Sequence, residues 1–194
     1  MHPLPRWFTG TKEGHSEWYV ERFRTMAADG DDLAGEARLI DAIVTPGSRV
    51  LDAGCGPGRV GAELHAREHT VVGVDVDPVL IAAAEEDHRG PTWVVADLAD
   101  FDLDEEPFDA AVIAGNVMVF VAPGSERDVL ARVAAHVKAD GAVVVGFRLD
   151  GTYRLDAFDA DLEAAGLRIE QRFATWDLRP FTDDADFAVT IARR

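Results

Sequence analysis

The chain has 194 residues, of which 47% are hydrophobic, so it is long enough to bury one core and short for two full domains. Its 36 acidic residues outnumber the 19 basic ones and give a formal net charge of −17, which opposes binding to a nucleic acid or to an anionic membrane surface. The single cysteine, Cys55, excludes an internal disulfide and a cysteine-rich zinc site.

The amino terminus, MHPLPRWFTGTKEG, lacks the continuous apolar segment of a secretion signal. No uninterrupted apolar run in the sequence approaches the roughly 18 residues that a membrane-spanning helix needs. The sequence therefore predicts a cytoplasmic protein that does not bind membranes.

Residues 14–44 have a helical pattern that Gly30 interrupts, which predicts two helices ahead of the first strand. Four residues occur at positions i, i+3, i+4 and i+7, so that a helix places them on one face: His15, Trp18, Tyr19 and Arg22. Packing of its aromatic residues against the sheet is one interpretation of this face.

From residue 48 onward, short β-branched runs alternate with helical stretches, the order that produces a parallel sheet with helices on both faces. The predicted strands are SRVLDAG, TVVGVDVD, TWVVADL, the first part of FDAAVIAGNVMVFV, GAVVVGFRL, LRIEQRFATWDL and FAVTIARR. The fourth of these segments is expected to run on into a loop. Asp77, directly before Pro78, and Ser125 are predicted helix N-caps.

The segment VLDAGCGPGRV places Gly54, Gly56 and Gly58 in alternation directly after the first predicted strand. Glycine in a structured element costs roughly 0.5–1 kcal/mol relative to alanine, so this arrangement indicates a ligand that needs bare backbone. The dinucleotide fingerprint would require glycine at position 59, where this chain has Arg59. Tight packing is the alternative use of such glycines.

An acidic residue stands at the end of each of the first three predicted strands: Asp52, Asp75 and Asp97. At the end of the second strand a carboxylate can accept both ribose hydroxyls of a nucleoside, and at the end of the third it can accept from an exocyclic adenine amine. Asp52 capping its loop, and Asp97 belonging to the acidic linker that follows it, are the alternatives.

Three segments resemble motifs of the class I S-adenosylmethionine-dependent methyltransferases, in the family's order and at suitable intervals: DAGCGPG, VVGVDVDP and VVADLADF. The resemblance spans about residues 45–194. It implies an α/β, Rossmann-like fold, with a seven-stranded mostly parallel sheet, helices on both faces and an antiparallel last strand. It also implies a single domain over residues 1–194, in which residues 1–47 form a helical lid or substrate segment and residues 48–194 form the cofactor-binding core.

The resemblance assigns the cofactor S-adenosylmethionine, with S-adenosylhomocysteine as its product, to this core. The implied contacts are Tyr19, Arg22, Asp52, Gly54, Cys55, Gly56, Gly58, Asp75, Val76, Asp97, Leu98, Asn116 and Val117. Among them Asp75 would bind the ribose, and Val76 would pack on the adenine. Cys55 is expected to be a small filler in the glycine loop rather than a reactive thiol.

The resemblance also implies contacts along the cofactor, from its adenine to its methionine carboxylate. Asp97 and the Leu98 backbone N–H would contact the adenine edge, and Asp52 would order the glycine loop. Asn116 and Val117 would lie near the sulfonium and its methyl group, and the predicted lid face would bring Tyr19 and Arg22 near the methionine carboxylate.

Methyl transfer from a sulfonium is a displacement on an activated carbon, so a catalytic base is optional. His15 is the candidate base for an acceptor that must lose a proton. The stretch AGNVMVFV replaces the Asn-Pro-Pro-Tyr-like sequence typical of nucleic-acid methyltransferases, which favours a small-molecule acceptor and argues against nucleic acid. Met118, Phe120 and Val121 suit an apolar acceptor, although core packing also explains them.

Two alternative functions stay open: an NAD(P)-dependent oxidoreductase, and a non-catalytic module that binds S-adenosylmethionine. The stretch HAREH matches a zinc-peptidase pattern over five residues, but we interpret His65 and His69 as part of a solvated helix face and predict no metal. The sequence is compatible with a monomer or a homodimer.

Overall fold

The computed structural model describes residues 3–104 and 106–194, and this part of the chain forms one seven-stranded sheet with the order β3-β2-β1-β4-β5-β7-β6. The strands are β1 Arg49–Ala53, β2 Thr70–Asp75, β3 Thr92–Val95, β4 Phe108–Ile113, β5 Val137–Arg148, β6 Arg168–Phe173 and β7 Phe187–Arg193. Strand β7 runs antiparallel to both of its neighbours, and the other pairings are parallel. The predicted sheet, with its antiparallel last strand, is confirmed.

The helices are α1 Arg6–Thr9, α2 His15–Ala28, α3 Gly35–Ile43, α4 Arg59–Ala66, α5 Pro78–Asp87, α6 Val117–Phe120, α7 Glu126–His136 and α8 Leu155–Ala164. The predicted break between the first two long helices is confirmed at Gly30, which has a φ of +81°. None of the helices within the described ranges has the length and apolar content to cross a membrane.

The core lies on both faces of the sheet because successive side chains of a strand point to opposite sides. In β5, Val143 and Val145 face the cluster that contains helices α7 and α8, whereas Val144 between them faces the cluster that contains α3 and α4. These two layers confirm the prediction of helices on both faces.

Several predicted boundaries differ from the structure. Strand β3 ends at Val95, so Asp97 lies in the turn after the strand rather than at its end. The fourth predicted segment ends as a strand at Ile113 and then forms the short helix α6, because Gly115 and Asn116 both adopt positive φ values, +70° and +67°. The acidic linker before β4 contains Glu105, which lies outside the described residues.

The two predicted N-caps have different outcomes. Asp77 caps α5, because its Oδ1 accepts a hydrogen bond from Val79 N at 2.9 Å. Ser125 precedes α7 but makes no capping bond, since its hydroxyl instead donates to the carbonyl of Ala122 at 2.8 Å. Asp77 therefore has a structural role, and a second one at the cavity described below.

Candidate functional site

A cavity opens at the carboxyl ends of the central strands, with about 830 Å³ of empty space when the part open to solvent is included. Its place at the strand ends is where α/β sheets bind ligands. One wall comes from the turns after β1, β2, β3 and β4. The other comes from α1 and α2, which contribute Trp7, Tyr19 and Phe23.

The glycine loop forms the floor of this cavity. The N–H groups of Gly54 and Cys55 both donate to the carbonyl of Val74, at 2.7 and 3.1 Å, and hold the loop against β2. Gly54, Gly56 and Gly58 have φ values of +80°, +55° and +85°, which side chains rarely adopt. The loop conformation therefore explains why glycine occupies all three positions.

The three glycines differ in what a side chain would meet. A Cβ built on Gly54 would lie 2.3 Å from Val117 Cγ2, and one on Gly58 would lie 2.9 Å from the Trp93 ring. A Cβ on Gly56 would have only Tyr19 nearby, at 3.7 Å, and would point into the cavity. The structure thus gives Gly58 a packing role outside the cavity lining, whereas Gly54 and Gly56 line the cavity.

Asp52 holds the glycine loop to the helix that follows. Its Oδ2 accepts a hydrogen bond from Gly61 N at 2.8 Å, and the residue is 1% exposed. Burial raises the pKa of this carboxyl to about 7. Asp52 also lines the cavity. It therefore orders the glycine loop and forms part of the cavity wall.

Asp75, at the end of β2, lies next to the loop and is buried. Its Oδ2 accepts from Gly56 N and its Oδ1 from Asp77 N, both at 2.9 Å. Burial raises the pKa of this carboxyl to about 6, even though these backbone hydrogen bonds lower it. Each carboxylate oxygen can accept a further hydrogen bond, so Asp75 retains acceptor capacity toward the cavity.

The turn after β3 supplies the next part of the wall. Asp97 lines the cavity, and its Oδ1 accepts from Ala99 N at 2.9 Å, which stabilises the turn. Val76 and Leu98 present apolar surface to the same cavity. The predicted adenine contacts therefore lie together.

Val117 lines the cavity, but its neighbour Asn116 does not. The Asn116 Oδ1 accepts a hydrogen bond from Arg148 N at 2.9 Å, which ties the turn after β4 to the end of β5. Asn116 thus supports Val117 instead of lining the cavity itself.

The N-terminal cover, residues 5–28, closes the cavity from above. Trp7 Nε1 donates to Asp77 Oδ2 at 2.6 Å, and the Ser16 hydroxyl donates to the same oxygen. On the other side, Arg6 Nη1 donates to the Val121 carbonyl at 3.2 Å and to Glu126 Oε1 at 3.0 Å. The cover is therefore attached to both sides of the cavity.

Of the four residues on the predicted helix face, the structure brings only Tyr19 to the cavity. His15 packs against Trp7 and Trp18, with ring centroids 4.8 and 5.4 Å apart, and lies outside the lining. Arg22 is exposed, with its guanidinium 5.6 Å from the centroid of the exposed Trp18 ring. The cavity-lining cation is Arg59, which the sequence indicated only as the residue that breaks the dinucleotide pattern.

Comparisons with known proteins bear on this arrangement. Residues 50–141 match the family described as "Methyltransferase domain". The crystal structure of a TehB-like SAM-dependent methyltransferase from Corynebacterium glutamicum superposes with a TM-score of 0.89, at 42% sequence identity over 94% of this chain and 100% of that chain. The chain belongs to the class I S-adenosylmethionine-dependent methyltransferases. The predicted family is confirmed.

Two further relatives of this chain are longer proteins. This chain is 39% identical to magnesium-protoporphyrin O-methyltransferase of Rhodobacter capsulatus over 116 residues, which are 56% of this chain and 50% of that protein. It is 37% identical to ribosomal protein L11 methyltransferase of Symbiobacterium thermophilum over 106 residues, 54% of this chain and 33% of that protein. The chain thus spans about a third to a half of the length of these relatives.

Cys55 lines the cavity and packs with Ile81, Ala84 and Trp93. Burial raises the pKa of its thiol well above the ordinary value, so the reactive thiolate is suppressed. This environment agrees with the interpretation of Cys55 as a small filler.

The two histidines of the HAREH stretch have different surroundings. His69 is 2% exposed and its Nε2 lies 3.0 Å from Asp41 Oδ1, so the prediction of a solvated face is wrong for this residue, because the chain has already turned toward β2 there. His65 is exposed, and its Nδ1 lies 3.4 Å from the carbonyl of His69. Within the described ranges, no three His, Cys, Asp or Glu side chains are arranged to hold a metal ion.

Proposed function

We propose that this methyltransferase binds S-adenosylmethionine in the cavity and transfers the methyl group to a small-molecule acceptor. The observation that carries the proposal is the Asp75 carboxylate, buried at the cavity wall with one backbone donor on each oxygen. Its remaining lone pairs suit the two hydroxyls of a ribose. A buried carboxylate without a use would be a costly feature.

The neighbouring residues fit the rest of the cofactor. Val76 and Leu98 supply apolar surface for an adenine, and Asp97 supplies an acceptor for its amino group. Gly56 leaves the backbone bare beside Asp75, so the ribose and the adjoining chain can approach the loop. Val117 is positioned to contact the methyl-bearing end.

S-Adenosylmethionine, when bound, supplies a methyl group on a positively charged sulfur, so the protein's task is to orient the reactants and exclude water. The N-terminal cover contributes an aromatic wall that helps to exclude water. Trp7 meets Tyr19 and Phe120 edge to face, with ring centroids 5.3 and 5.6 Å apart. Pro5 and Val121 extend the apolar surface.

The turn before Val117 has a hydrogen-bond donor beside it, the Tyr19 hydroxyl. A Cβ built on Gly115 would lie 3.7 Å from the Tyr19 hydroxyl, and burial raises the pKa of Tyr19, so it stays protonated at neutral pH. Because His15 lies outside the cavity lining, we propose that an acceptor with a proton to lose releases it to solvent.

A small-molecule acceptor is supported by the apolar wall at Phe120 and Val121 and by the net charge of −17, which disfavours nucleic acid. By their names, one of the two longer relatives acts on a porphyrin and the other on a ribosomal protein, so relatives alone do not select the acceptor. A cytoplasmic location and a monomeric or homodimeric state stay predictions from the sequence.

The test is a calorimetric titration of the purified protein with S-adenosylhomocysteine, beside Asp75→Ala and Asp75→Asn. Losing two hydrogen bonds to a charged group, at roughly 1.5–3 kcal/mol each, lowers the affinity about 100-fold or more. The matched control is Asp100→Ala, an exposed aspartate in the turn after β3, which keeps wild-type affinity.

Absence of binding to the wild-type protein, or equal affinity in the Asp75 variants, would contradict the proposal. Titration with NAD tests the oxidoreductase alternative, which the family membership does not support. Turnover with any member of a small-molecule acceptor panel separates an enzyme from a non-catalytic binding module.

A further inference from the structure

Arg59 is the one positively charged side chain among the described residues that line the cavity. It is the first residue of α4, directly after the glycine loop, and its side chain is 18% exposed. The other charged lining residues are Asp52, Asp75 and Asp97. An anionic group entering this cavity therefore has a single cation to meet.

The hydrogen bonds of Arg59 leave a defined pair of donors. Nη1 donates to the Leu33 carbonyl at 2.5 Å and to Glu36 Oε2 at 2.7 Å, and Nη2 donates to Glu36 Oε1 at 2.6 Å. A guanidinium has five N–H groups, so Nε–H and the second N–H of Nη2 have no hydrogen-bond partner among the described residues. These two lie side by side on one edge of the planar group, the geometry that matches a carboxylate.

The guanidinium is held in place from three directions. Glu36, itself 15% exposed, binds its far end, the Leu33 carbonyl binds one side, and its carbon lies 5.4 Å from the centroid of the Phe23 ring. A planar cation fixed in this way loses little freedom when it binds a ligand. Arg59 is thus preorganised.

Arg59 and the proposed ribose ligand Asp75 have neighbouring residues in common. Gly56 donates its N–H to Asp75 and faces Tyr19, and the charge of Arg59 acts on Tyr19. Asp75, Gly56, Tyr19 and Arg59 all line the same cavity. A nucleoside whose ribose binds Asp75 would therefore share the cavity with the Arg59 guanidinium.

We propose that Arg59 binds the carboxylate at the methionine end of the cofactor through Nε–H and the free N–H of Nη2, and that Glu36 is the positioning residue that presents this edge. This assignment rests on the proposed function, since it places one group of the same cofactor. It replaces Arg22, whose guanidinium lies on the exposed Trp18 ring.

The test pairs a change in the protein with the matching change in the ligand. Calorimetry measures the affinity for S-adenosylhomocysteine and for its decarboxylated analogue, 5′-(3-aminopropylthio)adenosine, in the wild type and in Arg59→Gln. The wild type should prefer the carboxylate-bearing ligand by about 10- to 100-fold, as expected for a bidentate charge-assisted contact. In Arg59→Gln this preference should fall to about twofold or less, with binding of the analogue retained.

Arg59→Lys keeps the positive charge opposite Glu36 and guards against a folding defect, but it lacks the planar edge, so it should lose most of the preference. Glu36→Gln should lower the preference by a smaller factor, because the guanidinium remains but is less firmly oriented. Arg67→Gln, at the other end of α4 and paired with Glu63 and Asp41, is the control and should keep the wild-type preference.

Loss of affinity for both ligands to the same extent in Arg59→Gln and Arg59→Lys would mean that Arg59 only supports the cavity, and would overturn the assignment. Retention of the full preference in both variants would overturn it as well. A wild-type protein that binds neither ligand would instead refute the proposed function from which the assignment starts.

Discussion

The glycine loop, residues 52–58, and the N-terminal cover, residues 5–28, form opposite walls of one cavity by different means. The loop acts through its backbone, with positive φ values and buried N–H groups that bind Val74 and Asp75. The cover acts through side chains, above all the Trp7 indole and the Tyr19 ring. A wall made of backbone leaves a local sequence pattern, whereas a wall made of side chains from a distant segment does not.

The two walls also differ in how firmly they are held. The loop lies between buried strands and fixes its place by short contacts such as Gly54 against Val117. Helix α2 of the cover buries only Val20, and the cover depends on a few polar contacts at Asp77, Val121 and Glu126. Segments with few buried apolar contacts open at lower free-energy cost, so we expect the cover to move while the loop stays fixed.

The largest expected effect concerns two glycines with the same backbone conformation, one in each wall. Gly54→Ala should destabilise the protein by about 3 kcal/mol, because strain at a φ of +80° adds to overpacking against Val117. A change of the Val117 rotamer relieves the clash only in part, since the Cβ of Val117 itself would still be 3.1 Å away.

Gly14→Ala is the matched control, with a φ of +77° and no atom within 4 Å of the new Cβ. It should cost about 1 kcal/mol from backbone strain alone. Urea denaturation measures both free energies of unfolding. If the two variants lost the same free energy of unfolding, the contact with Val117 would add nothing to the cost of the positive φ.

A smaller effect is expected at the attachment of the cover. Trp7→Phe keeps an aromatic ring against Tyr19 and Phe120 but removes the Nε1–H bond to Asp77. Because a hydrogen bond to a charged group contributes roughly 1.5–3 kcal/mol, we expect S-adenosylhomocysteine to dissociate at least about tenfold faster.

Stopped-flow dissociation measures this rate, and Trp18→Phe is the control, since Trp18 is 53% exposed and makes no comparable bond among the described residues. An unchanged rate in Trp7→Phe, or the same acceleration in both variants, would mean that the cover does not retain the cofactor.

The smallest effect is a pH dependence at the loop wall. Burial raises the pKa of Asp75 to about 6, so the carboxylate becomes protonated as the pH falls through 6 and loses the charge that favours two ribose hydroxyls. S-Adenosylhomocysteine affinity should therefore be constant above about pH 7 and fall about tenfold between pH 7 and pH 5.

Calorimetry across this range tests the expectation. Asp52 titrates in a similar window, with a pKa of about 7, so the Asp75→Asn variant is needed to separate the two groups. A pH profile that keeps its full slope in Asp75→Asn would assign the effect to Asp52 instead.

Much of the site could be predicted because it follows the ends of strands along the chain. Asp52, Asp75 and the glycines stand directly after apolar runs, and parallel strands bring their carboxyl ends to one edge. Asp97 was predicted at the end of a strand, but β3 ends two residues earlier, at Val95. Asp97 still lines the cavity, because the turn that holds it lies at the same edge of the sheet.

The predictions were weaker where a side chain's direction mattered. The predicted helical face comprised His15, Trp18, Tyr19 and Arg22, but only Tyr19 reaches the cavity. The periodicity of a helix gives the angle between residues and leaves open which part of the face meets the sheet. Gly58 was grouped with the ligand-facing glycines for the same reason, since its contact with Trp93 lies between distant parts of the chain.

The sequence by itself determined the sheet, the glycine loop and the acids at its edge, because these depend on residue order, strand periodicity and backbone freedom. Only the tertiary structure decided that Arg59 is the cation in the cavity and that Asp77 holds the cover. The Trp7 to Asp77 bond joins residues 70 positions apart, and the Arg59 to Glu36 pair joins residues 23 apart. Contacts of this kind arise from the packing of whole elements, which a local pattern does not specify.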